Sequence, residues 1–79
     1  MSSLKPNNGY TKEDILEKAK RGAYMNTDGL KHDLNGEGIA IFLESIGFNV
    51  ISYEDLGPNG IVKTKEGIKV STNGNCSMI

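Results

Sequence analysis

Tryptophan is absent from this 79-residue chain, cysteine and histidine occur once each, and proline occurs twice. A single cysteine excludes an internal disulfide, and one His with one Cys falls short of the four N or S ligands of a structural zinc site. No apolar run approaches the ~20 residues that cross a bilayer as a helix. The opening Met1-Ser2-Ser3-Leu4-Lys5-Pro6 lacks the apolar stretch of a secretory signal. Charge of one sign is missing too: nine Lys and Arg stand against ten Asp and Glu, a formal net of −1. The global basic footprint of a nucleic-acid binder is therefore not there. These absences predict one small soluble domain, cytoplasmic because a lone free cysteine fits a reducing compartment. They predict no cofactor, no metal, no membrane partner and no enzymatic activity.

The charge that is present is unevenly placed. Residues 1–23 carry Lys5, Lys12, Lys18, Lys20 and Arg21 against Glu13, Asp14 and Glu17, a net of +2. Residues 24–62 carry Asp28, Asp33, Glu37, Glu44, Glu54 and Asp55 against Lys31 alone, a net of −5. Residues 63–79 return to +2 with Lys63, Lys65, Lys69 and Glu66. An acidic middle between basic ends is suited to a partner of complementary charge or to another copy of the chain.

Residues 1–10 are polar and turn-rich and read as a flexible arm. Thr11 followed by Asp14 is a capping-box start for a helix over 12–21, with acidic residues early, basic residues late and Gly22 as the stop. Residues 23–36 contain Gly29 and Asn35-Gly36 and support one short helical turn. A second helix runs from Glu37 to Ile46 and closes at Gly47. At about 100° per residue, Ile39, Phe42, Leu43 and Ile46 share one stripe, while Ile41 points the other way. Phe48 to Tyr53 then alternates with apolar residues on both faces, Phe48 and Val50 on one and Ile51 and Tyr53 on the other. That pattern predicts a central strand or one that meets a partner. After the turn Gly57-Pro58-Asn59-Gly60, a hairpin joins 61–64 to 68–72. A three-residue loop, Lys65-Glu66-Gly67 with Gly67 left-handed, pairs Val62 with Val70 and Thr64 with Ile68 and leaves Lys63 and Lys69 to water. Residues 73–79 read as a flexible tail. The expected fold class is α+β, a single domain over 11–72: two main helices packed on one face of a three-stranded antiparallel β-meander that ends in the C-terminal hairpin.

Several short patterns carry chemical readings. Asp33, Asn35, Glu37, Gly38 and Glu44 occupy positions one, three, five, six and twelve of a segment that resembles an EF-hand calcium loop, and the resemblance implies a weak calcium-binding module. Ile41 at the ninth position supplies no oxygen. Cys76-Ser77-Met78-Ile79 resembles a prenylation box, without a polybasic stretch or second cysteine upstream. His32 beside Asp33, with Cys76 far along the chain, provides no contact between nucleophile and base. The order helix, short helix, helix, hairpin resembles a winged helix in outline, and the resemblance implies nucleic-acid binding through Lys63, Lys65 and Lys69 on the hairpin. The helix over 37–46 has no Arg, Lys, Asn or Gln to read base edges.

No constellation here makes an active site, and the favoured expectation is a small non-catalytic protein-interaction module. It would act as an inhibitor or adaptor docked on a macromolecular protein partner, such as a nucleic-acid-handling enzyme, or as a homo-oligomer. Ile41, Ile51 and Tyr53 are the expected apolar contacts, and Glu44, Glu54 and Asp55 the charged ones.

Overall fold

The computed structural model describes residues 10–26, 35–54 and 60–79. The short turn expected near Thr27–Leu34 and the turn at 57–59 lie outside these. Helix α1 spans Lys12–Arg21, α2 spans Gly36–Ser45, and four strands follow: β1 (Val50–Glu54), β2 (Ile61–Thr64), β3 (Ile68–Ser71) and β4 (Cys76–Met78). The strands form one antiparallel sheet in sequence order. The class is α+β, as the sequence implies, with one strand more than the expected meander.

Each end of α1 is satisfied by its own sequence. The Asp14 amide donates to the Thr11 hydroxyl (3.2 Å) and the Thr11 amide donates to the Asp14 carboxylate (3.0 Å), closing the capping box. Gly22 ends the helix in the left-handed region (φ 64°), and its amide bonds the Ala19 carbonyl. Helix α2 starts at Asn35, whose side chain accepts from the Gly38 amide at 2.8 Å.

Ile15 and Ala19 of α1, and Ile39, Phe42 and Leu43 of α2, bury one helical stripe each. They meet Val62, Ile68, Val70 and Cys76 on the inner face of the sheet, with Met25 and Phe48 closing the ends of the core. The hairpin adopts the register that separates core from charge: Val62 lies opposite Val70, Lys63 opposite Lys69, and Gly67 turns the loop at φ 89°. Thr64 is buried, and its hydroxyl both donates to the Ile68 carbonyl (3.3 Å) and accepts from the Ile68 amide (3.4 Å).

Two expectations change. Cys76–Met78, read as part of a flexible tail, is strand β4 paired with β3, and Cys76 is buried. The polar run before it is a tight turn, in which Asn75 donates its amide to the Ser71 hydroxyl (3.2 Å) and the Asn73 carboxamide (3.1 Å). The strand around Val50 is not central; it lies at the edge of the sheet. Its register also shifts between Val50 and Ser52, so that Val50 faces Thr64 while Tyr53 faces Val62. Residues directly opposite in an antiparallel pair share a face. The bulge therefore puts Tyr53 on the helix side with Val50, where strict alternation had placed it on the other.

Candidate functional site

Helix α2 crosses the inner face near the open edge of the sheet, and its turn against β1 leaves a seam. Ala40 and Phe42 point into the core, so the intervening Ile41 is carried off the buried stripe. The bulged β1 brings its apolar residues up to the same seam. The result is an open groove of about 430 Å³ lined by Glu37, Ile41 and Glu44 from α2 and by Val50, Ile51 and Tyr53 from β1. Ile41 is 44% exposed, Ile51 62% and Tyr53 47%. A chain of this size that leaves three large apolar side chains half open at one seam has not enclosed them in its own core.

Four residues singled out in the sequence thus come together: Ile41, Glu44, Ile51 and Tyr53. Glu54, on β1, pairs with Ile61 and lies outside the groove lining, on the sheet face turned from the helices. Asp55 lies outside the described residues. Glu37 was not among the expected contacts; its place one helical turn before Ile41 was the available signal. All lining residues that carry charge are carboxylates, and neither Glu37 nor Glu44 has an ion pair among the described residues. The groove is apolar at its base and negative along the helix.

Lys63 and Lys69 sit on the sheet face turned from the helices, directly across from one another, in a row that runs Ser52, Lys63, Lys69, Ser77. Lys65 is exposed in the loop between β2 and β3. Neither Lys63 nor Lys69 lines the groove, although Ser52 at the end of their row does. This basic surface belongs to a four-stranded sheet and not to a two-stranded wing.

A third cluster is structural. The Glu66 carboxylate accepts from the Asn49 amide (3.0 Å) and the Asn49 carboxamide (2.8 Å) and lies 3.6 Å from Lys12 Nζ. Lys12 also stands over the Phe48 ring, 5.6 Å from its centroid. The hairpin loop, the link from α2 to β1 and the start of α1 are thereby tied at one point. The Asn49 amide donating to the carboxylate lowers the Glu66 pKa below the usual carboxylate value. Nothing in the local sequence marked this brace, because its partners are 17 residues apart.

The other chemical patterns do not assemble. Gly36–Ser45 is continuous helix, so positions four to twelve of the calcium-loop resemblance run along a helix and do not curl around an ion. Among the described residues, no three His, Cys, Asp or Glu side chains gather to hold a metal. Burial pushes the Cys76 thiol up to about 11, which keeps it protonated and unreactive at neutral pH. Its sulfur lies inside the core, out of reach of a lipid-transfer reaction while the strand is formed. His32 and Asp33 lie outside the described residues. Among the described residues no helix is long and apolar enough to cross a membrane. Neither a protein-family model, nor a curated protein, nor a solved structure matches this chain.

Proposed function

We propose that this protein is a small non-catalytic interaction module that docks on a protein partner through the α2–β1 groove. One observation carries the reading: three large apolar side chains, Ile41, Ile51 and Tyr53, stand half open along one seam lined by Glu37 and Glu44. Aromatic and aliphatic anchors in such a seam supply most of an interface's energy, while surrounding charges select the partner. An acidic lining favours a partner with a basic surface. An inhibitor or adaptor seated on a nucleic-acid-handling enzyme is the concrete form of this reading.

The test uses the full chain in the cells that express it. A co-purifying protein is identified, purified and titrated by calorimetry against wild type and an Ile41→Ala/Tyr53→Ala double variant. The double variant binds at least about tenfold more weakly, as expected for lost anchor residues, with its thermal midpoint held. Unchanged affinity, or a loss of binding that accompanies unfolding, removes the reading.

The lysine row on the other sheet face favours a second reading, nucleic-acid binding through Lys63, Lys65 and Lys69. Two lysines directly opposite on neighbouring strands repel each other, and bound phosphate relieves that repulsion. A low-salt gel shift that disappears in a Lys63→Glu/Lys69→Glu variant supports it; no shift at low salt excludes it.

A further inference from the structure

We infer, building on the docking reading above, that the occupant of the groove is an extended segment of a partner protein that adds a strand to the edge of β1 left open among the described residues and presents both apolar and basic side chains on the face it turns to α2. Three observations converge on this occupant.

The first is the edge itself. Strand β1 pairs with β2 on one side, and among the described residues no backbone group pairs with Val50–Glu54 on the other. Natural sheets usually blunt such an edge with lysine, proline or a covering element. Here β1 reads Val50-Ile51-Ser52-Tyr53-Glu54, with neither lysine nor proline, and four of its five residues are exposed. The bulge at Ile51 is its one irregularity, and it leaves Ser52–Glu54 in regular register. An incoming strand finds there amide and carbonyl groups that are unpaired among the described residues, which is the basis of strand addition.

The second is the apolar seam beside that edge. A strand alternates its side chains between two faces. A segment paired with β1 sends every second side chain toward α2, against Ile41, Ile51 and Tyr53, and apolar residues among those positions cover the exposed area.

The third is charge. Glu37 and Glu44 line the helix side of the groove, and among the described residues no lysine or arginine lines it. Lys or Arg at another of the α2-facing positions of the segment meets these carboxylates. A second copy of this chain is a poorer occupant. Two β1 edges paired about a two-fold axis bring Glu37 and Glu44 of both copies to one seam, where like charges oppose one another.

The test is a titration of the isotopically labelled full chain with a capped octapeptide, Thr-Val-Thr-Lys-Thr-Val-Thr-Lys, whose Val and Lys share one strand face, followed by amide chemical shifts. Two control peptides replace Lys by Glu, or carry N-methyl groups on alternate backbone amides. The Lys-Val peptide is expected to shift amides of 37–44 and 50–54 saturably. The N-methylated peptide binds at least about tenfold more weakly, because it cannot complete the ladder. The Glu peptide does not bind wild type, and a Glu37→Lys/Glu44→Lys variant reverses this preference between the Lys and Glu peptides.

Four results overturn the inference: no saturable shift, equal binding of the N-methylated peptide, shifts confined to the Lys63 and Lys69 face, or peptide-independent shifts at β1 that grow with protein concentration and so reveal a second copy as occupant. The docking reading is judged apart from this. If the peptide fails while a purified partner still depends on Ile41 and Tyr53, strand addition falls and docking stands; if the partner ignores both residues, docking falls whatever the peptide does.

Discussion

The two edges of the sheet are treated oppositely by the same chain. At β4, the segment leaving α1 pairs with the start of the strand: the Cys76 amide donates to the Ala23 carbonyl at 3.0 Å, the Met25 amide donates to the Gly74 carbonyl at 2.8 Å, and Tyr24 bridges Asn75. Met25 then drops its side chain into the core. At β1, five strand residues lie beside a groove with no such cover among the described residues. An uncovered edge invites association, so a chain that ties the start of one edge strand to the core and leaves the other edge unpaired among the described residues separates two tasks. The closed edge belongs to folding. The open edge belongs to recognition, and the substitutions that matter at each should differ in what they cost.

The largest effect is expected at the closed edge. Met25→Ala removes a fully buried side chain and should lower stability by about 2–4 kcal/mol, read from urea denaturation. A loss below about 1 kcal/mol would show that the segment after α1 is a loose cover, since surface substitutions fall in that range, and the contrast would break.

The thiol of Cys76 gives the next test of the same edge. Burial raises its pKa from 9.0 to about 11, and each unit is tenfold in thiolate at a given pH. Thiol labelling of the folded protein at mildly alkaline pH should be about a hundredfold slower than in denaturant. Because the folded state holds the proton more tightly, stability should also fall as pH rises from 9.0 toward 11. Labelling at the denatured rate would show β4 opening freely.

A smaller effect is expected at the brace, which sits between the two edges. Glu66→Gln weakens charge-assisted bonds from Asn49 and the pairing with Lys12 and should cost about 1 kcal/mol. The Glu66 pKa is lowered from 4.5 in the folded state. Its stabilising contribution is therefore present above 4.5 and lost as pH falls through the lower folded value. Acid titration of wild type should show this loss, and the Gln variant should lack it.

The smallest stability effect is expected at the open edge. Ile51→Ser should change the unfolding free energy by less than about 0.5 kcal/mol, as for other exposed positions. A loss comparable to Met25→Ala would make Ile51 a core residue and dissolve the distinction between the edges.

Legibility in the sequence followed how local each determinant was. The ends of α1 were readable because Thr11, Asp14 and Gly22 act within a turn of one another. The hairpin register was readable because Gly67 and the placement of Lys63 and Lys69 admit one pairing with a clean core. Strand β4 was not, because three residues reading Cys-Ser-Met carry little strand preference and gain their order from β3 and the Ala23–Met25 segment. The groove was half readable. Ile41, Ile51 and Tyr53 stood out as apolar residues beyond what one core face needs. Strict alternation placed Ile51 and Tyr53 on the far side of the sheet, however, and only the bulge between Val50 and Ser52 brings Tyr53 round to meet Ile41. A bulge is settled by packing across strands and has no short signature here.

The most direct measurement of this division of labour is photo-cross-linking in living cells from a reactive residue placed at position 51, on the open edge, or at position 77, on β4. Our account predicts adducts with one defined foreign protein from position 51 and none from position 77. Equal yields from the two positions, no adduct from position 51, or an adduct joining two copies of this chain would contradict it.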